Sequence, residues 1–167
     1  MHRPKLALTA TAAITALGVF ALPAFAEERS CRGVLGNVTV DNLRVPQGAT
    51  CTLNGTRVKG TIKVERDATL KASAIRVIGN IQAENHRHVS VTGGSRVDGS
   101  LQVKQGGGAR VSSSIFGSDV QFFTNSGAIS ITSNRIDGNL QCKENRPAPT
   151  GGGNVVQGNK EDQCARL

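Results

Sequence analysis

The chain has 167 residues, room for one domain, with a formal net charge of +8 at pH 7. It has no Trp, no Tyr and five Phe against 20 Gly, which argues against the large-side-chain core of a compact helical or mixed domain. The basic excess is moderate; it permits an acidic partner and does not demand one.

The first segment reads as a leader. His2, Arg3 and Lys5 precede an uncharged, mostly apolar run from Leu6 to Leu22. Ala24-Phe25-Ala26 then gives a small-x-small site followed at once by Glu27 and Glu28. This order predicts a secretory signal peptide over 1–26, cleaved after Ala26, and a mature domain over 27–167. The leader holds two of the 20 Lys+Arg and none of the 12 Asp+Glu, so the remainder carries a formal +6. No second run is long and apolar enough to span a bilayer.

Beyond the leader the chain repeats itself. Glycines recur at 36, 60, 79, 99, 117, 138 and 158, in steps of 24, 19, 20, 18, 21 and 20. The text around them repeats too: Arg57-Val-Lys-Gly-Thr-Ile-Lys-Val64, Arg76-Val-Ile-Gly-Asn-Ile-Gln-Ala83, Arg96-Val-Asp-Gly-Ser-Leu-Gln-Val103 and Arg135-Ile-Asp-Gly-Asn-Leu-Gln-Cys142. Ser114-Ile-Phe-Gly-Ser-Asp-Val-Gln-Phe122 fits if Asp119 is an insertion. A fixed period near 20 marks a solenoid of stacked coils.

Each coil carries three alternating pieces. One follows the glycine (Val38/Val40, Ile62/Val64, Ile81/Ala83, Leu101/Val103, Val120/Phe122, Leu140/Cys142). A second lies mid-coil (Cys51/Leu53, Leu70/Ala72, Val89/Val91, Ala109/Val111, Ile129/Ile131). The third precedes the glycine (Val58, Val77, Val97, Ile115, Ile136). The i, i+2 spacing is strand periodicity, and copies in phase mean a stack. The expected fold is an all-β, single-stranded parallel β-helix of about six to seven right-handed coils. The glycines are expected at corners that need positive φ or close backbone approach. Asn37, Asn80, Ser100, Ser118, Asn139 and Asn159 after them are expected to stack as a polar ladder.

The four cysteines, Cys31, Cys51, Cys142 and Cys164, all lie after the leader, and an even number in an exported chain predicts two disulfides. The near pairs are about one coil apart. Pairing 31–51 and 142–164 would pin a terminal segment over each open end of the stack.

The repeat also places residues outside. Arg57, Arg76, Arg96 and Arg135 share one position, interrupted at Ser114. Thr39, Lys63, Gln82, Gln102, Gln121 and Gln141 share another. Asn85, Gln105, Asn125 and Asn145 recur at steps of 20. Guanidinium forks suit carboxylate, phosphate or sulfate, and amides suit sugar hydroxyls. Asp98 and Asp137 stand where they can neutralise Arg96 and Arg135. His86-Arg87-His88 supplies two metal-ligand types where zinc needs three or four, so no metal or cofactor is expected; the segment reads as an exposed loop or strand. Gly106-Gly107-Gly108 and Pro147-Ala-Pro-Thr-Gly-Gly-Gly153 read as loops, the latter as a flexible excursion.

The repeated Val/Ile-x-Gly-Asn/Ser-Ile/Leu-Gln coil resembles the right-handed parallel β-helix proteins. It also resembles small secreted bacterial proteins of that type with a Cys-ended C-terminal segment, here Cys142 to Cys164. The strand pattern is similar to that of bactofilins, which lack the disulfides. Pectate lyases and polygalacturonases of this class use clustered acids in a long groove; here the acids are scattered, and Asp98 and Asp137 sit in one ladder two coils apart. The expectation is therefore a secreted or periplasmic, non-catalytic solenoid that binds an anionic glycan or cell-envelope polymer, with no nucleic-acid partner. A small polysaccharide-active enzyme and a self-assembling scaffold or adhesin are the alternatives.

Overall fold

The computed structural model describes residues 27–167; the expected signal peptide lies outside them. The described chain is all strand, turn and bend, with no helix. Three parallel sheets run along one axis. Sheet 1 has eight strands, from Glu28–Ser30 to Lys160–Asp162. Sheet 2 has seven, from Gly33–Leu35 to Thr150–Gly152, and sheet 3 has seven two-residue strands, from Thr39–Val40 to Val155–Val156. The chain visits sheets 1, 2 and 3 in turn, so each circuit is one coil of a parallel β-solenoid with about seven turns.

The register fixes the coil length. In sheet 1, Leu43 pairs with Ile62, then Ile81, Leu101, Val120, Leu140 and Lys160, steps of 19, 19, 20, 19, 20 and 20. Strand alternation aims one residue in two at the axis. With the exception of Val38/Val40, the inward pairs that the repeat predicts for sheets 1 and 2 are found there, and all of these are buried. A lone coil leaves these side chains bare on two sides, so stability comes from coil-on-coil contact.

Two coils differ from the sequence expectation. Gly36 is not the first corner glycine. Gly60 donates its backbone N–H to Asp41, and Leu43/Val45 fill the inward positions below Ile62/Val64. Thr39-Val40 belongs instead to sheet 3, below Arg57-Val58. The long first step of 24 was the sign of this misplacement. Nor is Asp119 an insertion. Ile115 lies over Arg96 and Phe116 over Val97, so Phe116 is the buried residue and Ile115, not Ser114, breaks the arginine row. Gly117 has moved one place forward in a coil of ordinary length.

The corner between sheets 3 and 1 needs glycine for close approach, since Gly79 is not among the residues with positive φ. A Cβ on Gly79 would stand 2.6 Å from the carbonyl oxygen of Gly60. Beside these glycines a polar ladder does form, through Asn42, Thr61, Asn80 and Ser100, then Asp119, Asn139 and Asn159. Asn80 Oδ1, for example, accepts the Ser100 backbone N–H at 2.8 Å. Asn42 and Asp119 take the places expected of Asn37 and Ser118.

The other two corners turn on residues with left-handed φ, among them Asn85, Gln105, Thr124 and Glu144 after sheet 1 and Ala74, Ser113 and Ser133 after sheet 2. The residue after each points inward. After sheet 2 these are Thr56, Ile75, Ser95, Ser114, Asn134 and Asn154, all buried. After sheet 1 they include His86, Asn125 and Asn145, also buried. The expected outward row of Asn85, Gln105, Asn125 and Asn145 therefore splits. The 19-residue coil between Leu101 and Val120 shifts the phase by one, so Asn85 and Gln105 stay exposed while Asn125 and Asn145 enter the core.

Both disulfides join the expected partners, Cys31 to Cys51 and Cys142 to Cys164, with Cα–Cα distances of 5.5 and 5.3 Å. The second holds a final turn over the stack end, where Leu167 packs against the core. The segment 147–153 is no excursion: Thr150–Gly152 is the last strand of sheet 2, and Asn154 joins the inward asparagine row.

Candidate functional site

The outside of the solenoid carries its chemistry in axial rows, because register repeats every outward side chain about 4.8 Å further along. In sheet 3 the outward row is Thr39, Arg57, Arg76, Arg96, Ile115, Arg135 and Val155. Arg57, Arg76 and Arg96 stack on consecutive coils, and Arg135 stands apart beyond Ile115. All four arginines are exposed.

Like charges at this spacing repel, and aspartates relieve part of it. Asp98 bridges two arginines, with Oδ1 2.6 Å from Arg96 Nε and Oδ2 3.3 Å from Arg76 Nη2. Asp137 pairs with Arg135 at 3.3 Å. Asp98 thus neutralises Arg76 as well as the expected Arg96. Asp98 and Asp137 lie two coils apart in one column, each already engaged by a guanidinium. Of this row's arginines, only Arg57 is in no ion pair among the described residues.

Sheet 1 has wider strands and two outward positions per coil. The first row is Arg44, Lys63, Gln82, Gln102, Gln121, Gln141 and Glu161, with Arg44 in the place the sequence reading gave to Thr39. Arg44 is held by Glu28 (3.0 Å) and Glu65 (3.4 Å). Gln121 Nε2 donates to Gln141 Oε1 at 2.7 Å, and Gln141 Nε2 donates to Glu161 Oε2 at 2.7 Å. The amides at that end form a directed chain. The second row, two residues on, includes Glu84, Lys104, Phe123 and Lys143. The arginine and glutamine rows therefore lie on different sheets, as two stripes separated by the glycine corner.

Sequence reading missed the second row of sheet 1. The signal was present as Gln102-Val-Lys104, Gln121-Phe-Phe123 and Gln141-Cys-Lys143, where the residue two after each Gln shares its face.

His86 is the other surprise. It is buried, 3% exposed, and among the described residues neither ring nitrogen has a hydrogen-bond partner. Burial lowers its pKa from 6.5 to about 4; the Gly108 backbone opposes the shift and His88 adds to it. The ring lies where a Cβ on Gly106 would stand, which explains the glycine there. His88, half-buried at the start of a sheet 2 strand, is also shifted down, by burial and by Lys71. Among the described residues no group of three His, Cys, Asp or Glu is placed to hold a metal ion.

The fold and its surface define a disulfide-closed parallel β-solenoid with polar axial rows. No family model, no curated protein and no solved structure matches the chain.

Proposed function

We propose that the chain is an exported, non-catalytic solenoid that binds an acidic polysaccharide at the cell envelope or outside it. The observation that carries this reading is the register. It lines up Arg57, Arg76 and Arg96 on one sheet and Gln82, Gln102, Gln121 and Gln141 on the next. A ligand with one charge and several hydroxyls per repeat meets such rows many times at once, and weak contacts then add by multivalency. Guanidinium groups favour planar oxyanions, and the amides pair with hydroxyls.

Two further features support the reading. Two disulfides fit an oxidising, extracellular or periplasmic environment. The first 26 residues have the order of a secretory leader. The engagement of Asp98 and Asp137 by arginines favours a binding role over a catalytic one for those carboxylates.

The test is an array of polyuronates, sulfated glycans and neutral glucans, probed with the disulfide-intact chain at low and high salt. Retention on the acidic set that fades with salt is expected. Uniform absence of binding removes the proposal. Release of unsaturated or reducing sugar from a polyuronate replaces it with an enzymatic one.

A further inference from the structure

Sheet 1 presents a grid of six outward side chains on three consecutive coils: Gln102 and Lys104, Gln121 and Phe123, Gln141 and Lys143. Neighbours stand about 4.8 Å apart across strands and roughly 6.6 Å apart along them. The grid is therefore about the size of one or two sugar rings.

Three observations separate it from ordinary solvated surface. The first is Phe123 itself. Phe116 and Phe122 are fully buried, while Phe123 sits part-exposed among amides and lysines. An aromatic ring bounded by polar groups is a platform for a flat partner with one apolar face. The second is charge. Lys104 Nζ stands over the ring at 5.6 Å from its centroid. Neither Lys104 nor Lys143 is in any ion pair among the described residues. On sheet 3, by contrast, aspartates engage Arg76, Arg96 and Arg135. Two cations without such partners thus flank the part-exposed ring, with Glu84 beside Lys104 in the same row. The third is the amide chain from Gln121 through Gln141 to Glu161, which fixes two of the neighbouring side chains.

We propose that this grid is the subsite for one uronate residue of an acidic polysaccharide. The apolar face of the pyranose stacks on Phe123. Its carboxylate takes the Lys104 or Lys143 ammonium, and its hydroxyls meet the amides of Gln102 and Gln121. The inference rests on the polysaccharide reading above and moves its centre from the arginine stripe to sheet 1. A pyranose has the required apolar face, and a uronate adds the charge that two lysines without acidic partners favour.

The probe is a set of polygalacturonate oligomers, with dextran as the neutral control, titrated calorimetrically into the full disulfide-intact chain. F123S, the double variant K104Q/K143Q and the double variant R76Q/R96Q are compared, each checked for an unchanged melting curve. All these side chains are outward, so the fold is expected to hold. F123S and K104Q/K143Q are each expected to weaken binding tenfold or more, the lysine pair with a shallower salt dependence. R76Q/R96Q, on the arginine stripe, is expected to lose less affinity than either sheet 1 variant. If F123S and K104Q/K143Q bind like the parent while R76Q/R96Q loses affinity, this subsite is wrong and the broader polysaccharide reading survives on sheet 3. If the parent chain binds no polyuronate, this subsite falls, and the broader reading is decided by the sulfated glycans of the array.

Discussion

Asn134 donates from Nδ2 to Oδ1 of Asn154 at 3.0 Å, and that same oxygen accepts the backbone N–H of Asn134 at 3.0 Å. One side chain closes two bonds across a coil step, and Asn134 does the same service below for the Ser114 N–H at 3.1 Å. Its Nδ2 also donates to the Val111 carbonyl. All of this is buried, where an unpaired polar group is costly.

Asn134→Ala strips the Ser114 N–H of its acceptor and the Val111 carbonyl of a donor. A loss of about 2–4 kcal/mol is expected, with a lower urea midpoint and an unchanged slope. Asn159→Ala, at the exposed end of the glycine-side ladder, should stay within about 0.5 kcal/mol. Equal costs at the two positions would mean that the inward ladder is not a source of stability.

The disulfides close loops with sequence separations of 20 and 22 at opposite ends of the stack. Loop closure of that length is worth about 3 kcal/mol per bridge. In a solenoid each coil depends on its neighbours alone, so the loss should stay local at first. C142A/C164A is expected to speed hydrogen exchange in 140–167 and leave the strands of 69–111 protected. C31A/C51A should do the same at the other end, over 28–58, with 69–111 again protected. Equal loss of protection along the whole axis would contradict nearest-neighbour stability.

Most of the solenoid could be read from the sequence because its inward positions obey a period of two within strands and about 20 between them. The errors came where coil length changed. One 19-residue coil moved Asn125 and Asn145 from the exposed row of Asn85 and Gln105 into the core. Gly36 and Gly117 attracted the alignment because glycine is conspicuous, yet backbone pairing places Asp41 and Ser118 in their row. The inward corner residues escaped notice for a physical reason. They are polar, and polarity reads as surface until the left-handed residue before them is known to turn the side chain inward. The arginine and glutamine rows were legible because register alone creates them. Phe123 between two lysines is legible in the same way, since the residue two after each Gln shares its face.

His86 makes stability depend on pH. The folded chain holds the ring neutral, with a pKa of about 4 against 6.5 unfolded. Between these values the unfolded state binds the extra proton, so stability falls as pH drops from about 6.5 towards 4 and levels off below. The full effect is about 3 kcal/mol at 1.36 kcal/mol per pKa unit. His88 shifts in the same direction and adds to it. His86→Asn places a side chain of the kind found at Asn125 and Asn145, later in the same column. It should flatten most of this dependence in melts taken between pH 4 and pH 7. A parent chain equally stable across that range would show that His86 is not buried neutral.

Gly36 and Gly79 look alike in the sequence and differ in the fold. A Cβ on Gly79 would lie 2.6 Å from the Gly60 carbonyl oxygen and 2.8 Å from its carbon, both backbone atoms held by the ladder. Nothing lies within 4 Å of a Cβ on Gly36, and its φ is not left-handed. Gly79→Ala should therefore force two coils apart and cost about 1–3 kcal/mol or more, as other overpacking does. Gly36→Ala should be neutral or stabilise by up to about 1 kcal/mol, since it removes freedom from the unfolded chain. Thermal melts of the two single variants decide the matter. If Gly36→Ala proves the more damaging, the first coil is in the register that glycine spacing suggests, and Asp41 does not sit below Gly60.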